Sequence, residues 1–211
     1  MFDLDGVLLE SEQVWNEAKR ELVAERGGSW RESAPRDMMG MSSPEWSAYL
    51  RDELGVDLDP AAISADVVAR LETIYRAGLP WIDGAREAVE RMAARRPLGL
   101  ASSSNREIID LFLELSGLGG LFAVTVSSEE VERGKPSPDV YLEAAWRLGV
   151  RSEDCIAVED SENGIRAAKA AGMYVFVLPN SEWPPGPDAL ALADAVIGSL
   201  AELSLVPFRD R

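Results

Sequence analysis

The chain has 211 residues, 37 Asp plus Glu against 21 Lys plus Arg, a formal net charge of −16, one cysteine and no histidine. The missing imidazole excludes His-based triads, His-dominated zinc sites and imidazole acid–base chemistry, which leaves carboxylates, hydroxyls, amines or a metal to do any catalysis. At 46% apolar the chain suits one globular domain or a domain with an insertion, while its negative charge argues against nucleic-acid and anionic-membrane partners.

Only Met1 and Phe2 precede Asp3, whereas a central parallel strand usually supplies about five residues; the chain is therefore expected to open inside its first strand. Residues 11–80 then carry helices without a convincing strand. Ser11 to Arg26 spaces Val14, Trp15, Ala18, Leu22 and Val23 at helical intervals before Gly27-Gly28. A second helix is signalled by Ser43-Pro44-Glu45-Trp46 and runs to Gly55; a third opens at Asp59-Pro60 and runs to about Gly78, each start combining a capping residue with an early proline. From Trp81 onward short apolar runs alternate with amphipathic ones. Strands are expected at Pro97 to Ala101, Leu121 to Val126, Cys155 to Val158, Tyr174 to Leu178 and Ala195 to Ile197. Helices are expected at Gly84 to Ala94, Asn105 to Leu115, Pro138 to Leu148 and Asn163 to Ala171, with stops at Gly117, Gly149 and Gly172.

Such alternation means βαβ units, so the fold class is α/β: a Rossmann-like parallel sheet with helices on both faces. The expected division is a core of residues 1–10 and 81–211 with a helical module, 11–80, inserted into it. The single Cys155 cannot form an internal disulfide, and its apolar run gives it a packing role that fits a reducing compartment. No apolar stretch approaches the roughly 20 residues that span a bilayer, and no cleavable signal pattern opens the chain. A cytoplasmic protein, monomeric or weakly dimeric, is expected.

Four segments, each at a strand end or helix start, hold residue types suited to phosphoryl transfer. In Phe2-Asp3-Leu4-Asp5-Gly6-Val7, alternation along an extended backbone puts Asp3 and Asp5 on one side, where they repel unless a cation or proton lies between them. Leu100-Ala101-Ser102-Ser103-Ser104-Asn105 carries a strand into hydroxyls and a helix N-terminus, a natural phosphate cradle. Gly134-Lys135-Pro136-Ser137-Pro138 supplies a lysine, one of three with Lys19 and Lys169. Val158-Glu159-Asp160-Ser161-Glu162-Asn163-Gly164-Ile165 closes a buried strand with two adjacent carboxylates. Each alone has a bland reading as a turn, cap or solvated loop; their occurrence together, in this order, does not.

These four segments resemble, in sequence order, the four motifs of the haloacid dehalogenase superfamily hydrolases, in the group that includes β-phosphoglucomutase and phosphoglycolate phosphatase. The resemblance implies a Rossmann-like core with a helical cap inserted after the first motif. It implies Asp3 as the nucleophile that forms an aspartyl phosphate, and Asp5 as the acid that protonates the leaving alcohol and then the base that activates water. Mg²⁺ would be held by Asp3, the backbone carbonyl of Asp5 and Asp160, with Glu159 orienting a metal-bound water. Ser102 and the following backbone amide, with Ser103 and Asn105 beside them, would bind the phosphoryl group, and Lys135 would balance its charge.

Within the superfamily, dehalogenases lack the second aspartate of the first motif, so Asp5 points to phosphoryl transfer. Phosphonate hydrolysis needs a cap lysine; Lys19, the cap's one lysine, reads as an exposed basic residue of its helix. Mutases carry a histidine where Trp15 stands and a cap arginine absent from Gly40-Met41-Ser42-Ser43-Pro44-Glu45. Trp15 reads equally as cap core or pocket lining. Arg106 is a candidate for gripping a second anionic group of the substrate. The expectation is a Mg²⁺-dependent phosphatase of a small phosphorylated sugar or hydroxy acid, with a mutase or a non-catalytic binding relative as alternatives. Receiver domains of signalling systems share several of these residues, but they are shorter and lack the helical insertion.

Overall fold

The computed structural model of the chain describes residues 1–39, 41–180 and 183–204. Its helices, in chain order, are α1 (Glu12–Glu25), α2 (Ala34–Asp37), α3 (Ser43–Asp52), α4 (Pro60–Ala77), α5 (Ala85–Ala93), α6 (Arg106–Ser116), α7 (Asp139–Leu148), α8 (Glu162–Ala170) and α9 (Pro187–Leu190). Interleaved with the later ones are strands β1 (Leu98–Ser102), β2 (Phe122–Ser127), β3 (Ile156–Glu159), β4 (Tyr174–Val177) and β5 (Ala195–Val196). The pairings β1 with β2, β3 with β4 and β4 with β5 are all parallel.

The N-terminal segment joins the two groups of strands. Phe2 N–H donates to the Gly99 carbonyl at 2.9 Å and the Phe2 carbonyl accepts from Ala101 at 2.9 Å. On the other side, Asp3 N–H donates to Val158 at 3.1 Å and Val158 N–H donates to Met1 at 3.0 Å. The lateral order is therefore β2, β1, residues 1–3, β3, β4, β5, so Asp3 emerges at the centre of the sheet.

Burial on both faces follows from this parallel arrangement. Leu100 and Phe176 belong to the same buried apolar cluster as Ile108, Ile109 and Phe112 of α6, whereas their neighbours Ala101 and Val175 belong to a second cluster with Tyr141 of α7 and Ile165 of α8. Adjacent strand residues thus serve opposite layers, as the period of two requires. Phe112 and Tyr141 are fully buried, and each such side chain contributes roughly 1.5–3 kcal/mol of burial free energy.

Helices α3 and α4 begin where a side chain satisfies a free N–H group. Glu45 accepts from Ser42 N–H at 2.8 Å, closing a capping box at α3. Asp59 accepts from Ala61 N–H at 2.9 Å, and Pro60 occupies the first position of α4. Helix α4 packs against α1 and α3, and also against α6. The chain leaves and re-enters the sheet region at adjacent points, where Glu10 N–H donates to the Pro80 carbonyl at 2.7 Å. The short helices α2 and α9, and the one-residue displacement of β2 and β3 from their expected starts, are not visible in the apolar periodicity. Gly40 and the last seven residues, named in the expected motifs and boundaries above, lie outside the described residues. Among the described residues no helix is long and apolar enough to cross a membrane.

Candidate active site

Asp3 and Asp5 sit where the central segment ends, and Gly6 turns the chain away at φ 74°, a left-handed conformation that glycine adopts without strain. Glycine is needed here for a second reason: a Cβ on Gly6 would lie 1.8 Å from Asp160 Oδ2. Gly164 plays the same part in α8, where a Cβ would fall 1.9 Å from Glu159 Oε2. The sequence thus keeps two side chains small so that the acidic pair at the end of β3 can approach Asp3.

Asp3 is only 6% exposed. Its Oδ1 accepts from Leu4 N–H at 2.8 Å and its Oδ2 lies 3.1 Å from Lys135 Nζ. Lys135, itself buried, also donates to Glu159 Oε1 at 2.7 Å and to the Ala101 carbonyl at 3.2 Å. Tyr141 reaches in from α7 to donate to the same Glu159 oxygen. Burial pushes the Asp3 carboxyl up to about 7 against the pull of Lys135, with Glu159 and Asp5 adding to the rise. Burial, then Glu159 and Asp3, likewise hold Asp160 well above the usual carboxylate range. Burial disfavours the Lys135 ammonium, but Asp3 and Glu159 more than compensate and hold its pKa above the ordinary lysine value.

One lysine therefore faces three buried carboxylates. Oxygen atoms of Asp3, Glu159 and Asp160 lie within 4.8 Å of one another, and Glu159 Oε2 is buried with no hydrogen-bond partner. An orphaned anionic oxygen in an all-oxygen cluster fits a hard divalent cation such as Mg²⁺, which would neutralise charge that Lys135 leaves uncompensated.

Asp5 is held differently. Ser11 and Ser104 donate hydroxyl protons to its two oxygens, and Trp15 Nε1 donates to Oδ1 at 3.0 Å. Ser102 accepts from Ser104 N–H at 3.0 Å, fixing the loop after β1. Asp3, Asp5, Ser102, Ser103, Ser104, Lys135 and Asp160 line one side of a cavity of about 100 Å³. Glu12, Trp15, Asn16 and Lys19 of α1, with Met38, Met39, Met41 and Trp46, line the other. Carboxylates, hydroxyls and ammonium groups converging on a small cavity can position a nucleophile, a proton donor and an anionic group together.

A family model for the haloacid dehalogenase-like hydrolases matches residues 1–172. The chain belongs to that family. Hexitol phosphatase B of Escherichia coli (strain K12) is 33% identical over 97% of this chain and 93% of its own length. The fructose-1-phosphate phosphatase YqaB of the same organism is 33% identical over 82% of this chain and 92% of its own. Relatives of this kind place the chain among the family's phosphoric monoester hydrolases. Among solved structures, CbbY from Rhodobacter sphaeroides in complex with phosphate superposes with a TM-score of 0.84 at 30% identity, covering 96% of this chain and 94% of that one.

Of the residues expected from sequence in this haloacid dehalogenase-like chain, Asp3, Asp5, Ser102, Ser103, Lys135 and Asp160 meet at the cavity, and Glu159 lies behind it on Lys135. Asn105 does not line it. Its amide instead ties α6 to the helices before it, accepting from Ser43 at 2.8 Å and donating to Ser64 at 3.2 Å and Glu129 at 2.9 Å. Arg106 does not line it either; its guanidinium donates to Asp110 at 2.7 Å, Thr125 at 3.1 Å and Glu130 at 3.2 Å. Helical geometry explains this: Arg106 opens α6, and its side chain lies along Asp110, one turn further on. Lys19, expected on the exposed face of α1, is instead buried, 6% exposed, in the cavity wall. Trp15 serves both readings given above, packing on Trp46 with ring centroids 6.0 Å apart and bonding Asp5. Ser104 was not singled out from sequence; its position two residues beyond Ser102 was the available signal.

Proposed function

We propose that the chain is a Mg²⁺-dependent phosphatase that hydrolyses a small phosphorylated metabolite, a sugar phosphate or phospho-hydroxy acid, through an aspartyl-phosphate intermediate. The observation that carries this reading is the convergence of Asp3, Asp5, Lys135 and Ser102 on one cavity. Residues 1–10 and 81–211 would form the catalytic core, and 11–80 a helical cap that shields the reaction from water. The sugar phosphates named for the relatives make the same substrate class the natural one to test here.

In this scheme Asp3 Oδ attacks phosphorus while the ester P–O bond breaks, and Asp5 gives its proton to the departing alkoxide. Water then attacks the aspartyl phosphate, Asp5 takes up its proton, and phosphate leaves as the Asp3 carboxylate re-forms. Ser11, Trp15 and Ser104 hold Asp5 in place through both proton transfers. Lys135 favours the ionised form of Asp3 against the effect of burial and offsets charge on the phosphoryl oxygens. Ser102 and neighbouring backbone amides bind those oxygens. Mg²⁺, held by Asp3, Asp160 and the Asp5 carbonyl, would supply charge neutralisation that the acidic pocket otherwise lacks.

A phosphate-release screen over several dozen phosphorylated metabolites with Mg²⁺ tests this. Turnover by the wild type and none by Asp3→Asn is the expected result; turnover that survives Asp3→Asn rules out the covalent route. Conversion of glucose 1-phosphate to glucose 6-phosphate without net release would favour the mutase instead.

A further inference from the structure

The cavity has two lysines in its wall, and they are not equivalent. Lys135 is committed to Asp3 and Glu159 at 3.1 and 2.7 Å. Lys19 is 6% exposed, yet among the described residues its ammonium has neither a hydrogen-bond acceptor nor an ion-pair partner. It lies instead over two indole faces, 5.1 Å from the Trp15 ring centroid and 4.8 Å from that of Trp46. Burial without an acceptor brings Lys19 down to about 8, with Asp5 and Glu12 favouring the charged form, so at neutral pH it remains mostly cationic. A cation held in a mostly buried site without an acceptor is stabilised when an anionic ligand meets it.

The surroundings narrow what that ligand is. The wall around Lys19 is mixed: Pro35, Met38, Met39, Met41 and Trp46 are apolar, and Glu12 and Asn16 stand beside them. A cation that faces the cavity and is held only by two indole faces matches a single anionic group of a ligand, with Asn16 beside it as a neutral hydrogen-bonding partner. Arg106, the other candidate for this task, is occupied by Asp110 and Glu130.

Resting on the phosphatase reading above, we propose that Lys19 binds a carboxylate on the leaving-group side of the substrate, making this enzyme selective for phosphate esters of small hydroxy acids over esters of neutral alcohols of equal size. Lys19 is then a specificity-determining residue, with Trp15 and Trp46 holding its ammonium in position.

Binding, rather than turnover, tests this directly. Titration calorimetry of the full chain with Mg²⁺ would compare 3-phosphonopropionate with propylphosphonate, which lacks the carboxylate. The carboxylate-bearing ligand is expected to bind at least about tenfold more tightly, as a charge-assisted contact requires. Lys19→Met should reduce that ratio to below about threefold, and Lys19→Arg, which keeps the charge, should retain most of it. Equal affinities in the wild type, no binding of either ligand, or an unchanged ratio in Lys19→Met overturns the proposal. Phosphate release from 2-phosphoglycolate that persists in Asp3→Asn would refute the covalent mechanism while leaving the Lys19 assignment intact.

Discussion

Asp3→Asn is expected to abolish turnover and yet stabilise the metal-free protein. Burial moves the Asp3 pKa from 3.8 to about 7, against the opposing pull of Lys135. A folded-state value above the unfolded one contributes stability that is fully present below about pH 4 and is lost as pH rises through 7. The difference makes the ionised carboxylate cost on the order of 4 kcal/mol at pH 8, and about half of that at pH 5.5. Asparagine carries no charge and keeps an acceptor for Leu4 N–H, which Asp3 holds at 2.8 Å. Urea unfolding in EDTA should therefore show the variant more stable at pH 8, by up to about 4 kcal/mol, with the gap closing towards pH 4. Saturating Mg²⁺ should reverse the order, because the wild type gains the free energy of binding the cation and the variant has lost a charged ligand. No stabilisation at pH 8 in EDTA, or a gap that widens on acidification, would refute the reasoning.

Lys135→Met leaves Asp3 and Glu159 without the ammonium that lies 3.1 and 2.7 Å away; a loss of about 3–5 kcal/mol in equilibrium unfolding at pH 8 is expected. Gly164→Ala drives a methyl to within 1.9 Å of Glu159 Oε2, so calorimetry should show weaker Mg²⁺ binding and unfolding a stability loss of about 1–3 kcal/mol. Arg106→Ala removes partly exposed ion pairs to Asp110 and Glu130 and should cost under about 1 kcal/mol, with KM unchanged on any substrate the screen identifies; a raised KM would return Arg106 to the substrate site.

The sheet and its helices were legible because their signals are local. Glu45 closes a capping box with Ser42, three residues earlier in the chain, and the apolar runs at Leu98 and Ile156 carry the burial pattern of a parallel strand within themselves. The acidic pair, Lys135 and the serine cluster were likewise visible: the pair and the serines sit at strand ends, where chemistry gathers in a parallel sheet, and Lys135 lies shortly before a helix. Short helices such as α2 escape, because four residues are too few for periodicity to register.

By itself, the sequence, through the alternation of its apolar runs, determined an α/β fold, and its missing histidine and four acidic, hydroxyl and lysine segments set the expectation of a carboxylate-based phosphoryl chemistry, because residue type and spacing are local properties. Only the tertiary structure decided which groups the helices before Trp81 present to that chemistry. Lys19 lies one turn beyond Trp15 on α1, so helical spacing hinted at a shared face. Whether that face meets solvent or the cavity depends on how α1 lies over a loop nearly a hundred residues away, where Ser104 shares Asp5 with Trp15. That packing turned an apparently solvated lysine into a buried cation and Arg106 into a surface ion pair, because long-range contacts, rather than local pattern, set burial and the partners of charge.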